Sequence, residues 1–321
     1  MSATRREAAS RGDAVRRAGR WLSRVLLEPE YPEVAVEVRP GAIAAVRLSR
    51  EAGRLSLGAA AVVDLPDGTL DVSLTRGNIT DPAAFRSTLQ AALERAGALS
   101  GGAVSLVLPD PAVRIVLMEG RGLRGRKAET EETLRFRLHK ALPFDVRGAR
   151  IAWDGVPSEQ ALVVVALDEV VTGYEEAVES LGFHPGLVEA SSLALVSLDD
   201  GGSGDRLLVN WDDGYVSFLL LREGHPLLVR TLPGEIGTAS VARQATSTLQ
   251  FYQDRLGGGR LGSVVVRAAA GPPEEAQAVL GRALDADPQL LQPWAALGAP
   301  ETAAPAQAVA AAAASALRSA L

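Results

Sequence analysis

The chain has 321 residues, 47% hydrophobic and 22% charged, which is enough for two ordinary domains with their own cores and excludes disordered or collagen-like chains. It contains no cysteine, so disulfides, thiolate metal sites, iron–sulfur clusters and a cysteine nucleophile are excluded. Three histidines (His139, His184 and His225) lie too far apart in sequence for a histidine-rich metal centre, and a net charge of −6 argues against a general nucleic-acid binder.

Residues 1–27 carry seven arginines (Arg5, Arg6, Arg11, Arg16, Arg17, Arg20 and Arg24) against Glu7 and Asp13. That segment is +5, which leaves −11 on the remainder. Trp21, Leu22, Val25 and Leu26 follow at helical spacing, so the segment reads either as a basic amphipathic helix for an anionic membrane surface or as a solvated tail. The apolar run at 25–27 is too short for a signal peptide.

Val34 to Leu48 reads as a hairpin around Arg39-Pro40-Gly41, and Leu55 to Leu65 as a third strand. Asp81-Pro82 opens a helix with Phe85, Leu89 and Leu93 on its apolar face. Strands follow at Val104–Leu108 and Val113–Met118. The glycine-rich basic loop Gly120 to Gly125 leads into a helix from about Lys127 to Ala141, faced by Leu134, Leu138 and Ala141/Leu142 and stopped by Pro143. Ile151–Val156 and Ala161–Ala166 are strands, and Asp168 to Leu181 is a helix ended by Gly182. Leu187–Leu198 reads as strand or helix, running into the boundary loop Asp199–Gly204.

The plan then restarts. Leu207–Val209, Tyr215–Leu221 and Leu227–Leu232 form three strands with tight connections. A helix from about Gly237 to Leu256, a buried strand at Val264–Val266 and helices from Pro273 and from Ala306 complete the chain. The stretch from Ala303 to Leu321 is mostly alanine and is broken by Pro305, Gln307, Ser315 and Arg318. A spanning helix needs about 20 strongly apolar residues, so this one reads as a closely packed soluble helix. A three-strand meander at 34–65 and again at 207–232 predicts two similar α/β halves with a cleft between them.

Gly120 to Lys127 sits where a phosphate-binding loop would sit, but Gly125 is followed by Arg126, Lys127 and Ala128, with no hydroxyl for magnesium. Glu131-Glu132 and Glu175-Glu176 point about 100° apart on their helices, so neither pair converges on one site. Asp199-Asp200 falls in the boundary loop, and Asp212-Asp213-Gly214 reads as a hairpin turn. No nucleophile elbow or zinc-binding His-Glu-x-x-His is present. These motifs define no catalytic centre and no metal site.

Leu134 to Asp154 (LRFRLHKALPFDVRGARIAWD), with its Pro143-Phe144 pair and a strand ending in Asp154, resembles the type IV pilus assembly PilM family of the actin-like ATPase superfamily. Ala161–Ala166, Tyr174, Leu181-Gly182-Phe183, Pro185 and Ser247–Tyr252 match further family stretches in order, over roughly residues 34–321. The resemblance implies an actin-like two-lobed α/β fold. A basic extension would cover residues 1–33, a first lobe 34–200 with an inserted subdomain at about 79–165, and a second lobe 201–321. It also implies a cytoplasmic protein peripheral at the inner membrane, able to form homo-oligomers, that grips the N-terminal peptide of a PilN-like membrane protein beside the inserted subdomain.

The family's nucleotide loops are altered here. Glu37, Arg39, Pro40 and Gly41 stand in the first phosphate loop, where small residues should let backbone N–H groups approach the phosphate. Asn210, Asp212 and Asp213 stand in the second and oppose phosphate charge. Ala268 and Ala269, preceded by Arg267, replace the Gly-Gly of the adenosine loop. The expectation is a non-enzymatic scaffold without a cofactor. The alternatives are an ATP- and magnesium-binding actin-like ATPase in which Arg39 supplies the lost lysine's charge, and a GspL-like component of type II secretion. A GspL-like chain usually carries a membrane-spanning helix after the actin-like part. Leu142, Pro143 and Phe144 are the expected partner-binding residues, with Phe144 either a docking anchor or a plug for the subdomain's own core.

Overall fold

The computed structural model describes residues 32–318, apart from 52–53, 100, 124, 156–159, 199–203, 235 and 295–305. The basic segment 1–27 and Asp199-Asp200 lie outside the described residues.

Strands β1 (Val34–Arg39), β2 (Ala42–Glu51) and β3 (Arg54–Asp64) form an antiparallel meander. Helix α1 (Pro82–Arg95) then crosses over to β4 (Ala103–Leu108), which pairs parallel with β1. Asp81 caps α1 by accepting from the backbone N–H groups of Ala83 and Ala84, each at 3.0 Å. Gly97 (φ +74) ends it in a left-handed turn that few other residues tolerate. Strand β8 (His184–Ala190) completes a sheet of order β3-β2-β1-β4-β8.

The second half repeats this topology. Strands β9 (Arg206–Asp212), β10 (Tyr215–Arg222) and β11 (His225–Pro233) form the meander. Helix α5 (Thr238–Arg255) leads to β12 (Ser263–Ala268), and α6 (Pro273–Leu284) to the short β13 (Gln289–Leu290). The order is β11-β10-β9-β12-β13, with the same parallel and antiparallel pairings. The duplicated meander expected from the sequence therefore extends to the whole sheet.

Between β4 and β8 the chain builds a third sheet, β5-β7-β6, from β5 (Arg114–Glu119), β6 (Ala149–Gly155) and β7 (Gln160–Leu167). Helix α2 (Lys127–Leu138) packs on it through Leu134 and Leu138. This inserted subdomain starts near residue 114, which corrects the expected start near 79. Helix α1 and β4 belong to the first lobe, because the apolar face of α1 (Phe85, Leu89 and Leu93) lies over β2 and β3 and shares one buried core with residues of β1, β2 and β4. Helix α3 (Asp168–Glu179) returns the chain to that same core through Val170, Val171, Tyr174 and Val178. Arg150 of β6 ties the insertion to α3 by pairing with Asp168 and Glu175 and donating to Thr172.

Two further helices lie between the lobes' sheets: the short α4 (Ser191–Leu195), and α7 (Ala306–Leu317). Every residue of α7 from Gln307 to Ser315 is buried. Val309, Ala312, Ala313 and Ala316 pack on the first sheet, while Ala310, Ala311 and Ala314 share a cluster with Leu208, Leu219 and Leu221 of the second. A helix touching a sheet on both sides has room only for small side chains, and alanine has the highest helix propensity. The layer order is thus helices, first sheet, α7, second sheet, helices.

Candidate functional site

The first strand of each lobe ends in a tight turn, and the two turns meet. Arg39 and Asp212 are the last residues of β1 and β9. A Cβ placed on Gly41 would lie 3.4 Å from Asp213 Oδ2, and one on Gly214 (φ +72) would lie 3.8 Å from Pro40. Arg39 reaches across the lobes and grips Asp212 with both ends of its guanidinium: Nη2 donates to Oδ1 at 2.7 Å and Nε to Oδ2 at 2.9 Å. Its Nη2 also donates to the Ala269 carbonyl at 2.8 Å.

A second buried cation lies beneath this pair. Arg267 of β12 is 0% exposed in an otherwise apolar strand. It donates from Nη2 to Glu37 Oε2 at 2.9 Å, from Nη1 to Asn210 Oδ1 at 3.0 Å and Ser191 Oγ at 3.1 Å, and from Nε to the Gln307 carbonyl at 2.9 Å. Its Nη1 also stands 2.9 Å from Glu37 Oε1 and 3.4 Å from Asp212 Oδ2. Glu37, central in β1, accepts from Ser191 Oγ at 2.9 Å as well. Gln307 closes the network by donating from Nε2 to the Leu291 carbonyl at 2.7 Å. Both sheets and both interlobe helices therefore meet in one buried cluster of two cations and two paired carboxylates.

Asp110, just after β4, is a third buried carboxylate, and among the described residues it pairs with no cation. It accepts from the Ser192 N–H at 2.9 Å, from the Ser192 hydroxyl and from Asn210 Nδ2 at 3.3 Å. Burial pushes its carboxyl above the ordinary range despite these bonds. Burial likewise raises Glu37, and the pull of Arg267 only partly offsets it. Burial would raise Asp212 too, but Arg39 and Arg267 together outweigh it and hold this carboxyl below the ordinary range. The asymmetry follows from geometry. Asp212 draws on two guanidiniums, whereas Glu37 is paired with one. Burial disfavours both arginine charges, yet Asp212 beside Arg39, and Glu37 with Asp212 beside Arg267, hold them above the usual value.

The structure brings together Glu37, Arg39, Pro40, Gly41, Asn210, Asp212, Asp213, Ala268 and Ala269. One expected feature differs: Asp212, read as a carboxylate facing the phosphate position, is paired with Arg39 of the first loop. Leu142, Pro143 and Phe144 lie in the inserted subdomain, apart from this cluster. Leu142 and Phe144 are half-buried against its core, while Pro143 is exposed. Glu131 pairs with Arg135 and Glu175 with Arg150, so the adjacent acids form no site. The loop at 120–125 is held by Arg137, which donates to the Glu119 and Arg121 carbonyls, each at 2.6 Å.

Sequence reasoning passed over the roles of Arg267, Asp110, Ser191, Ser192 and Gln307. Arg267 carried a usable signal: a charge within the run Val264-Val265-Val266-Arg267-Ala268 must be paired if the strand is buried. Among the described residues no cluster of His, Asp and Glu could hold a metal ion, and no helix is long and apolar enough to cross a membrane.

No family model matches the chain, and no curated protein matches it. Solved structures do. The chain superimposes on a chain of the PilM-PilN type IV pilus biogenesis complex with a TM-score of 0.74 at 18% identity, covering 91% of this chain and 99% of that one. A protein of actin-like ATPase fold and unknown function from Bacteroides thetaiotaomicron matches with a TM-score of 0.52 at 10% identity, covering 83% of this chain and 92% of its own. The fold is therefore the actin-like ATPase fold, in the form that the pilus complex contains.

Proposed function

We propose that this chain is a non-enzymatic scaffold subunit of a type IV pilus assembly complex at the inner membrane, docking the N-terminal peptide of a PilN-like membrane protein. The observation that carries this reading is the superposition on the pilus complex, which runs through nearly the whole of both chains. The reading places the protein on the cytoplasmic side, held at the membrane by its partner and by the basic segment 1–27, in machinery of the kind that drives twitching motility.

The interlobe cluster supports the non-enzymatic part of this reading. In the actin-like plan the two turns at Arg39–Ala42 and Asp212–Tyr215 are the loops that would embrace nucleotide phosphates. Here Gly41 lies against Asp213, and Arg39 and Asp212 are paired between the two turns. A phosphate entering there would have to take Arg39 from a buried carboxylate, leaving Asp212 with less than its full countercharge. The residues present do not fit a nucleoside triphosphate with magnesium, and Arg39 is not free to stand in for a phosphate-binding lysine.

A thermal-shift titration with MgATP tests this part, because a ligand that binds only the native state must stabilise it. No saturable shift is expected up to millimolar nucleotide. A saturable rise in melting temperature at sub-millimolar MgATP would return the ATPase reading. Calorimetric titration with the cytoplasmic peptide of a single-span membrane protein encoded beside this chain tests the docking part. Saturable binding is expected, and no heat at any concentration removes it.

A further inference from the structure

The two arginines of the interlobe cluster cross between the lobes in opposite directions. Arg39 of the first sheet reaches Asp212 of the second, and Arg267 of the second sheet reaches Glu37 of the first. All four side chains are buried, with 8% exposure for Arg39 and 0% for the other three. Asp110 joins this group through Asn210 and, among the described residues, pairs with neither arginine.

The Asp212 carboxylate is held as a bound anion would be. Arg39 takes it side-on, Nε donating to Oδ2 at 2.9 Å and Nη2 to Oδ1 at 2.7 Å. The Asp213 backbone N–H donates to Oδ1 at 2.8 Å, and Arg267 Nη1 stands 3.4 Å from Oδ2. The groups around it therefore come from both lobes: a guanidinium from β1, a second from β12 and a backbone N–H from the turn after β9. An arginine cannot shed its charge inside a protein. Without this carboxylate, two buried cations would face Glu37 alone. Such a site must take up another anion or let the lobes part and admit water.

We propose that the Asp212 carboxylate is a built-in anionic ligand, which fills a two-arginine anion site between the lobes and clamps them in one closed arrangement. A ligand that touches both lobes of a two-lobed protein shifts it toward closure by its preference for the closed form. Here the bridging anion belongs to β9 itself, so its binding costs no translational freedom. Closure then needs no nucleotide or other small molecule, and the lobes present a preset surface to a partner. The clamp follows from the ion-pair geometry and does not depend on which partner docks.

Asp212→Ala removes the carboxylate and opens the site to a free anion of the same shape, for which formate is the probe. Hydrogen exchange on the full chain, read by mass spectrometry, follows the lobes. Peptides covering β1 and β9 with their turns should exchange on the order of 100-fold faster in the variant than in the wild type. Sodium formate up to about 0.3 M should restore slow exchange and raise the melting temperature saturably. The wild type, whose site is filled, should show no saturable response, and neither should Arg39→Met/Asp212→Ala, which lacks one arginine. Where Asp212→Ala does not fold, Asp212→Asn takes its place: it fills the same volume, so exchange should still be fast and formate should add nothing. Exchange as slow as in the wild type, in whichever variant folds, would overturn the clamp. A folded Asp212→Ala that ignores formate, or a double variant that responds equally, would overturn the anion site. No nucleotide enters this experiment, so its failure leaves the non-enzymatic reading to the MgATP titration.

Discussion

Replacing Arg267 by methionine keeps most of the side-chain volume and removes the charge at the centre of the interlobe cluster. Glu37 then loses its cationic partner while remaining at 0% exposure, and Asn210, Ser191 and Gln307 each lose a donor. Asp212 keeps its two-pronged contact with Arg39. Breaking one side of a buried pair costs about 3–5 kcal/mol, because the other charge stays buried and uncompensated. For a chain of this size that corresponds to a fall in melting temperature of roughly 4–8 °C.

The penalty should depend on pH in a definite direction. The folded-state Glu37 carboxyl already lies above its ordinary value of 4.5, and removing Arg267 raises it further. A group with a raised folded value titrates so that stability is kept below the unfolded value and lost as pH rises through the folded one. The gap between variant and wild type should therefore be full at pH 8 and shrink as pH falls toward 4.5. Adding Glu37→Gln to the variant should recover much of the loss, since no buried charge is then left alone. Denaturant unfolding at several pH values measures all three. A loss below about 1 kcal/mol would refute the reasoning, as would a loss equal at pH 8 and about pH 5, or no recovery in the double variant.

Ala313→Leu should cost about 1–3 kcal/mol in unfolding free energy, because α7 has no free space against the first sheet; an unchanged denaturation midpoint would mean that the sheets yield. Asp205→Ala removes the acceptor of the Tyr252 hydroxyl (2.7 Å) and of the half-exposed Arg222, for a loss of about 1 kcal/mol. Arg222 and Tyr252 hold Asp205 below its ordinary 3.8, so this contribution is present above that pH and lost below it; the melting-temperature gap should be constant near neutrality and close in acid. Phe144→Ala should cost about 2 kcal/mol, as expected for a half-buried ring on the inserted core, and should abolish binding of the partner peptide in a calorimetric titration; retained binding would exclude Phe144 as the anchor.

Local chemistry was legible in the sequence. Arg39-Pro40-Gly41, Asp81-Pro82 and Asp212-Asp213-Gly214 each specify a turn or a cap through φ preference and hydrogen bonding, and each appears where expected. Apolar spacing identified the buried faces of α1 and α2, and the repeated meander announced the duplicated lobes. The start of the inserted subdomain was misplaced because β4 shows the same apolar run whether it pairs with β1 or with a neighbour. Parallel pairing across an intervening helix leaves no local mark.

The cluster itself was only half visible. The altered loops could be read as changes from a pattern, and Asp212 looked like an unopposed charge. That Arg39 neutralises it depends on two residues 173 positions apart meeting across the lobes. The roles of Arg267 and Gln307 depend likewise on β12 and α7 being brought against β1. Propensity and period act over a few residues and are written in the chain, whereas the partner of a buried charge is set by which strands become neighbours. Only the tertiary structure decides that.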